Sequence, residues 1–303
     1  MAPQRRFGKR STADEVLDGL DLGGKTILVT GCAAGIGLET ARALAARGAH
    51  VIGTGRSEAR VSGVARHIAG QFTPIVCDQE DFASVVSAAE RVTALGVSLD
   101  AIIANAGIVG PDEPTIRYGV EDMFRVNHLS HMLLIDRVCE LLREDGGRVV
   151  IVSSAAAQAL APREGILFDD LDGQRTYGRF RFYGQSKLAN LTYAKALAKR
   201  LRPRGITVNA LHPGFIASTD LMREPGLLLR LLMPLSLAIS KTIPQGAATQ
   251  CYLAVHPDCE GITGRFYADC RPAKANPLAD EPGFQERLWT VSERILAQYA
   301  PCR

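Results

Sequence analysis

Lys25-Thr-Ile-Leu-Val-Thr-Gly-Cys-Ala-Ala-Gly-Ile-Gly37 decides how this chain folds. Residues 25–30 form a short apolar run that breaks on glycine, as a strand buried on both faces does. A helical stripe follows at once: Ile36, Thr40, Ala43 and Leu44 share one face of a helix expected over 36–47, and Gly48 stops it. Gly31, Gly35 and Gly37 then lie in a strand-to-helix turn. Glycine suits such a turn because it tolerates positive φ and lets the backbone close on a ligand, while the free N–H groups of the helix N-terminus attract a pyrophosphate. Gly31, Ala34, Gly35, Ile36 and Gly37 are the candidate contacts of that group.

Outward from this turn the same rhythm repeats. Strands are expected at 50–54, 72–77, 99–104, 148–153, 205–211 and 264–268, with helices at 82–95, 123–142 and 183–200 between them. Such alternation predicts a single-domain α/β Rossmann fold, a doubly wound seven-stranded parallel sheet with helices on both faces and ligands at the carboxyl ends of its strands. Residues 1–23 read as a polar N-terminal extension and 24–303 as the one domain. Two insertions, 155–182 and 216–242, break the rhythm on the ligand side. The second contains the apolar stretch 226–239, which Arg230 and Pro234 interrupt. It falls short of the roughly 20 residues a membrane helix needs, so it reads either as a lid on the site or as a peripheral membrane contact. Both readings favour a lipophilic small-molecule substrate.

Composition narrows the class. At 303 residues, 47% hydrophobic and 22% charged, the chain can bury one sizeable core. A formal net charge of +3 is too small to argue for a nucleic-acid partner, and the crowding of Arg5, Arg6, Lys9 and Arg10 reads as a solvated tail. No apolar signal segment or spanning stretch is found, which points to a cytoplasmic protein with no transmembrane segment. The seven cysteines are scattered and odd in number, as reduced thiols are, and no metal site is expected.

The second strand runs into Gly53-Thr-Gly-Arg56, where a chain selecting NAD(H) would carry an acid for the ribose hydroxyls. Arg56 is instead placed to meet a 2'-phosphate, which makes NADP(H) the expected cofactor. The competing reading leaves Arg56 as a solvated charge and gives Glu58 a part in NAD binding. Asp78, after the third strand, either accepts from the adenine amino group or caps the next helix. Further on, Tyr183 and Lys187 stand four apart and share a helix face. A nearby ammonium lowers the ordinary phenol pKa of about 10 and readies it to shuttle protons, although the spacing alone also arises by chance.

Thr30-Gly31-x-x-x-Gly35-Ile-Gly37, Asn105-Ala106-Gly107, Ser154 and Tyr183-x-x-x-Lys187 together resemble the short-chain dehydrogenase/reductase family, over a stretch from about Asp21 to the C-terminus. Ser11-Thr-Ala-Asp-Glu-Val16, Val126-Asn-His-Leu129 and Tyr183-Gly-Gln-Ser-Lys-Leu-Ala-Asn190 resemble its retinol-dehydrogenase-like and WW-domain-oxidoreductase-like subgroup. The resemblance implies an NADP(H)-dependent oxidoreductase that works on a carbonyl or the matching alcohol. Tyr183 would be the general acid/base, Lys187 would tune the phenol and hold the cofactor ribose, and Ser154 would polarise the substrate oxygen, with Ser153 the competing choice. Asn127 would hold a water that resupplies protons through Lys187, or be only a helix amide meeting a neighbouring carbonyl. Asn105, Ala106 and Gly107 would support the adenosine ribose, and Pro213, Gly214, Ile216 and Ser218 would receive the carboxamide. The family also implies a homo-oligomer. Two departures stand out: Ala33-Ala34 replaces the basic residue of many NADP-using members, and no membrane anchor precedes Thr30, so retinoid chemistry does not follow. A catalytically silent NADP(H)-binding scaffold on the same fold is the alternative. His128, His131 and His212 have no partners at catalytic spacing and read as structural or surface residues.

Overall fold

The computed structural model describes residues 7–216 and 240–299, so Ser218, the apolar stretch 226–239, and Arg5 and Arg6 lie outside the described residues. Strand β1 (Thr26–Val29) shows how the core is built. Alternate side chains point to opposite faces, so Ile27 and Val29 enter one apolar layer and Leu28 the other, all fully buried. β2 (His50–Gly55), β3 (Phe72–Val76), β4 (Ala101–Ala104), a small hairpin of β5 (Ile116–Arg117) and β6 (Val120–Glu121), β7 (Arg148–Val152), β8 (Thr207–His212) and β9 (Phe266–Ala268) follow in chain order. A two-residue β10 (Arg271–Pro272) completes the main sheet, whose order is β10-β9-β8-β7-β4-β1-β2-β3. All the ladders from β3 across to β9 are parallel and β10 alone is antiparallel. The seven expected parallel strands are therefore present, with one short antiparallel strand added at the edge.

Helices cover both faces. α2 (Gly35–Ala45) and the helix Ile243–Val255 bring Ala41, Leu44, Ala247 and Cys251 onto the Ile27 side. α4 (Phe82–Ala94), α6 (Ser130–Val138), α8 (Arg179–Leu201) and the C-terminal helix Pro282–Leu296 bring Phe82, Leu134, Leu191 and Leu288 onto the Leu28 side. The last two helices are bound through side chains as well: Trp289 stacks on Tyr193 with centroids 5.5 Å apart, and the Arg200 guanidinium lies 3.7 Å from the Trp289 ring centroid.

The described part of the N-terminal extension, from residue 7, is only partly solvated. Lys9 and Arg10 are exposed as expected, but Thr12 caps a one-turn helix, α1 (Ala13–Val16), through a capping box with Glu15. Val16 and Leu17 behind it are 1% and 0% exposed. Burying each is worth about 1.5–3 kcal/mol, more than the cap itself, so docking holds this segment.

Candidate active site

β1 and β4 are neighbours, and their connections leave in opposite directions, which opens a crevice beyond their carboxyl ends. The glycine turn and Asn105-Ala106-Gly107 face each other across it. Gly31 has φ 74° and Gly35 φ 56°, the left-handed region that glycine alone enters freely. A Cβ on Gly31 would stand 2.9 Å from the Ala106 Cβ, and one on Gly37 would meet the Gly31 carbonyl oxygen and the Asn105 amide. Thr30 stitches the two segments: its Oγ1 accepts the backbone N–H of Asn105 at 2.9 Å and of Ala106 at 3.0 Å, and its carbonyl accepts from Asn105 Nδ2 at 2.8 Å. The α2 N-cap, Ala34, brings no side-chain acceptor to the helix N-terminus.

On the β2 side, Cys32 N–H donates to the Thr54 carbonyl at 2.8 Å, and a Cβ on Gly55 would lie 3.5 Å from the Ala33 Cβ. Arg56 thus projects from the lip of the glycine turn, exposed. Glu58 starts α3 (Glu58–Ala65) and accepts from Ser62. Asp78 is not the cap of α4: Asp81 is, accepting from the Ala83 N–H, while Asp78 Oδ1 accepts the Glu80 N–H at 3.1 Å within its own turn.

Tyr183, Ser154 and Lys187 converge at the ends of α8 and β7. Tyr183 is half-buried and hydrogen-bonded to Ser154, and burial pushes its phenol up to about 12 against the lowering effect of that bond. Lys187 is 3% exposed, its Nζ donates to the Val152 carbonyl at 3.2 Å, and burial pulls its ammonium down to about 8. The Tyr183 phenol is pushed up, against the expectation that Lys187 lowers its pKa. The amine lies 5.8 Å from the phenol ring centroid, and burial of the phenol outweighs what lowers its pKa. The two serines separate cleanly: Ser153 is buried and donates to the Lys187 carbonyl at 2.7 Å, a tie between strand and helix, whereas Ser154 faces Tyr183.

Asn127 lies in one turn of π-helix, Arg125–Leu129, between α5 (Asp122–Phe124) and α6. Such turns place an extra residue in a helix and concentrate at functional sites. Its Oδ1 accepts the Ile108 N–H at 2.8 Å, and its Nδ2 donates to the Ile108 carbonyl and to Ser186 Oγ, each at 3.0 Å. A Cβ on Gly107 would come 3.1 Å from Asn127 Oδ1 and 3.2 Å from Lys187 Nζ, so this small residue keeps the lysine reachable.

The first insertion is firmly packed. It begins with α7 (Ala156–Ala159), buries Ile166 and Leu171, and turns on Asp170, whose carboxylate accepts the N–H groups of Arg175 and Thr176. Gly184 beside Tyr183 is required by it, because any Cβ there would strike the backbone of Leu160 and Ala161. Pro213, Gly214 and Ile216 follow β8; Gly214 has φ 102°, and Ile216 and Ile36 close together around Gly246. The Lys241 N–H donates to the Phe215 carbonyl at 2.8 Å, and its Nζ pairs with Asp269 at 2.6 Å. Thr30, Gly184, Lys241 and His131 were not expected at this site. Thr30 and Gly184 stand inside the glycine-turn and Tyr183–Lys187 motifs, whereas Lys241 and His131 reach the site only through tertiary contacts.

The arrangement fits a nicotinamide dinucleotide: a glycine turn that excludes side chains, an uncapped helix start, and a buried lysine with one described acceptor for its three N–H donors. Fold and site define a dinucleotide-binding α/β protein with a tyrosine–serine–lysine centre. The chain belongs to the short-chain dehydrogenase family: the family model "short chain dehydrogenase" matches residues 25–165 and 171–226. It is 38% identical to the chloroplastic short-chain dehydrogenase TIC 32 B of Brassica napus, over 96% of this chain and 94% of that one. The WW domain-containing oxidoreductase of Danio rerio is 35% identical over 97% of this chain and 74% of its own length. Retinol dehydrogenase 14 of Mus musculus is 36% identical over 89% and 85%. These relatives bear out the subgroup. Among solved structures, a short-chain dehydrogenase of Burkholderia cenocepacia in complex with NADP aligns with a TM-score of 0.63 at 28% identity, covering 82% of this chain and 96% of that one.

Proposed function

We propose that this oxidoreductase uses NADP(H) to reduce a carbonyl of a lipophilic small molecule, or to oxidise the matching alcohol. The observation that carries the reading is the hydrogen-bonded Tyr183–Ser154 pair one helical turn from the buried Lys187. Arg56 at the open lip of the turn, with no acid from Gly53 to Arg56, favours a 2'-phosphate, and the Burkholderia relative holds NADP. Gly31, Ala34, Gly35, Ile36 and Gly37 would hold the pyrophosphate, Asn105, Ala106 and Gly107 the adenosine side, Lys187 the ribose, and Pro213, Gly214 and Ile216 the carboxamide. The bound cofactor supplies or accepts hydride.

The chain's own groups handle the proton. A phenol at about 12 is fully protonated at neutral pH, the state needed to donate to an oxygen that gains negative charge during reduction. Ser154 Oγ–H would donate to the same oxygen and stabilise that charge. Lys187, with its pKa near 8, would return a proton towards Tyr183, while Asn127 holds the Ile108 and Ser186 segments. Leu160, which packs beside Gly184, Phe180, one turn before Tyr183 on α8, and Phe215, after β8, are 41%, 47% and 50% exposed, apolar surface that supports a lipophilic substrate.

Purified protein is to be assayed for NADPH oxidation against aldehydes, ketones, retinoids, steroids and aromatic polyketide ketones. Turnover of at least one compound is expected, with a loss of about 100-fold or more in Tyr183→Phe. A wild type that turns over none, or a Tyr183→Phe variant with full activity, overturns the proposal.

A further inference from the structure

Between the glycine turn and the Asn127 turn lies a histidine that no motif marks. His131 is 1% exposed, one helical turn beyond Asn127. Its Nε2 is 2.9 Å from Thr30 Oγ1 and its Nδ1 is 2.9 Å from the Asn127 carbonyl oxygen.

The hydrogens on this ring are fixed by counting. Thr30 Oγ1 already accepts two backbone N–H groups, from Asn105 and Ala106, which occupies both of its lone pairs. Its own proton must then be donated, and the acceptor is His131 Nε2. That nitrogen carries no hydrogen, so Nδ1 does, and it donates to the Asn127 carbonyl. The ring is neutral, in the less common tautomer, as its burial and the nearby Lys187 both favour.

We infer that His131 is a positioning residue for the proposed reaction, joining the cofactor-binding turn at Thr30 to the Asn127 turn that backs Lys187. The inference rests on the oxidoreductase reading. The join runs from strand β1 through one hydroxyl and one imidazole to the π-helical turn. Thr30 in turn fixes Asn105 and Ala106, against which Gly31 packs, and Asn127 Oδ1 and Lys187 Nζ share the face of Gly107. A change at His131 should therefore be felt on both sides of the crevice at once, in cofactor affinity and in the chemical step. The partner histidine, His128, points the other way to Ser292 in the C-terminal helix at 2.9 Å and belongs to packing.

The test starts with 15N-histidine NMR of the ligand-free wild-type protein. His131 is expected as a neutral Nδ1–H ring that stays unprotonated down to about pH 6; an Nε2–H ring, or protonation with an ordinary midpoint, overturns the assignment whether or not any variant folds. NADPH affinity by fluorescence and steady-state kcat are then measured for Thr30→Val and His131→Phe, which keep shape and remove the hydrogen bonds. Each single variant is expected to lose about tenfold in both quantities, the double variant no more than the worse single, and Thr30→Ser to stay near wild type. Additive losses, or a His131→Phe protein within about twofold of wild type, overturn the inference. A wild type that binds neither NADPH nor NADH fails the oxidoreductase reading itself, a result the NMR signature does not share.

Discussion

The two sides of the crevice are built by different means. On the cofactor side the constraints are backbone constraints: Gly31 and Gly35 at positive φ, Gly37 pressed on the Gly31 carbonyl, and Thr30 Oγ1 gathering two amides. On the substrate side the constraints are side chains: Ser154 bonds Tyr183, and Leu160 after α7, Phe180 on α8 and Phe215 after β8 are exposed. A backbone constraint admits one residue type, whereas an apolar rim admits many. Substitutions on the cofactor side should thus act steeply and on every substrate, and those on the rim should act mildly and selectively.

The steepest test is Gly37→Ala. The added methyl would collide with the Gly31 carbonyl, which is backbone, and with the Asn105 side-chain amide, which is itself tied to the Thr30 carbonyl. NADPH affinity is expected to fall about 100-fold or more, with melting lowered by several degrees, because a steric clash in close packing costs about 1–3 kcal/mol even where it is tolerated. Titration of NADPH fluorescence checks it, and an unchanged affinity would remove the backbone argument.

Lys187→Met comes next and splits activity from stability. kcat should drop about 100-fold through lost positioning. Stability should move the other way at neutral pH, since the wild type keeps a buried ammonium whose pKa has fallen from 10.5 to about 8. Relief of that cost is at most about 3 kcal/mol, offset by about 1 kcal/mol for the lost hydrogen bond to Val152. The sign with pH follows from proton counting. Between about 8 and 10.5 the unfolded chain still holds a proton that the folded chain has released, so the wild type gains on the variant as pH rises through that window. Paired melting curves from neutral to alkaline pH read it. Carbonyl reduction by the wild type should itself weaken above about pH 8, as Lys187 loses its proton.

Arg56→Ala is milder because the side chain is exposed. Loss of charge-assisted hydrogen bonds to a phosphate, about 1.5–3 kcal/mol, corresponds to about 10–100-fold in NADPH affinity, while NADH should be unaffected. Equal losses for both cofactors would return Arg56 to the solvated surface and reopen Glu58.

The same division explains what could be read from the sequence. The parallel sheet, the glycine turn and the Tyr183–Lys187 pair were legible because each is written in local spacing, in 2-residue or 3.6-residue periods or in glycines that no other residue replaces. The choice between Ser153 and Ser154 was not: both follow the end of β7, and only the fold shows that Ser153 meets the Lys187 carbonyl while Ser154 meets Tyr183. The role of Asp78 was open for a similar reason, since Asp81 three residues on takes the cap. His131 carried no local signal, because Thr30, 101 positions earlier, becomes its neighbour only when β1 and α6 are packed together. The docked one-turn helix α1 is not legible in sequence because a single turn has no readable period and is held by burial of Val16 and Leu17.

The smallest expected effect lies on the rim and separates the two sides most cleanly. Phe180 stands three residues before Tyr183 on α8, so both side chains occupy the same face, one turn apart, and Phe180 is 47% exposed. Because the residue is already about half exposed, truncation costs the fold little. What it removes is apolar surface offered to a bound molecule, worth about 1 kcal/mol or about fivefold in affinity for a bulky substrate. Phe180→Ala should therefore raise KM about fivefold for an aryl or polycyclic ketone and leave a small aldehyde, NADPH affinity and kcat unaltered. The pattern matters more than its size. A loss shared equally by large and small substrates would place Phe180 in the support of Tyr183, and a loss of NADPH affinity would join the rim to the cofactor side.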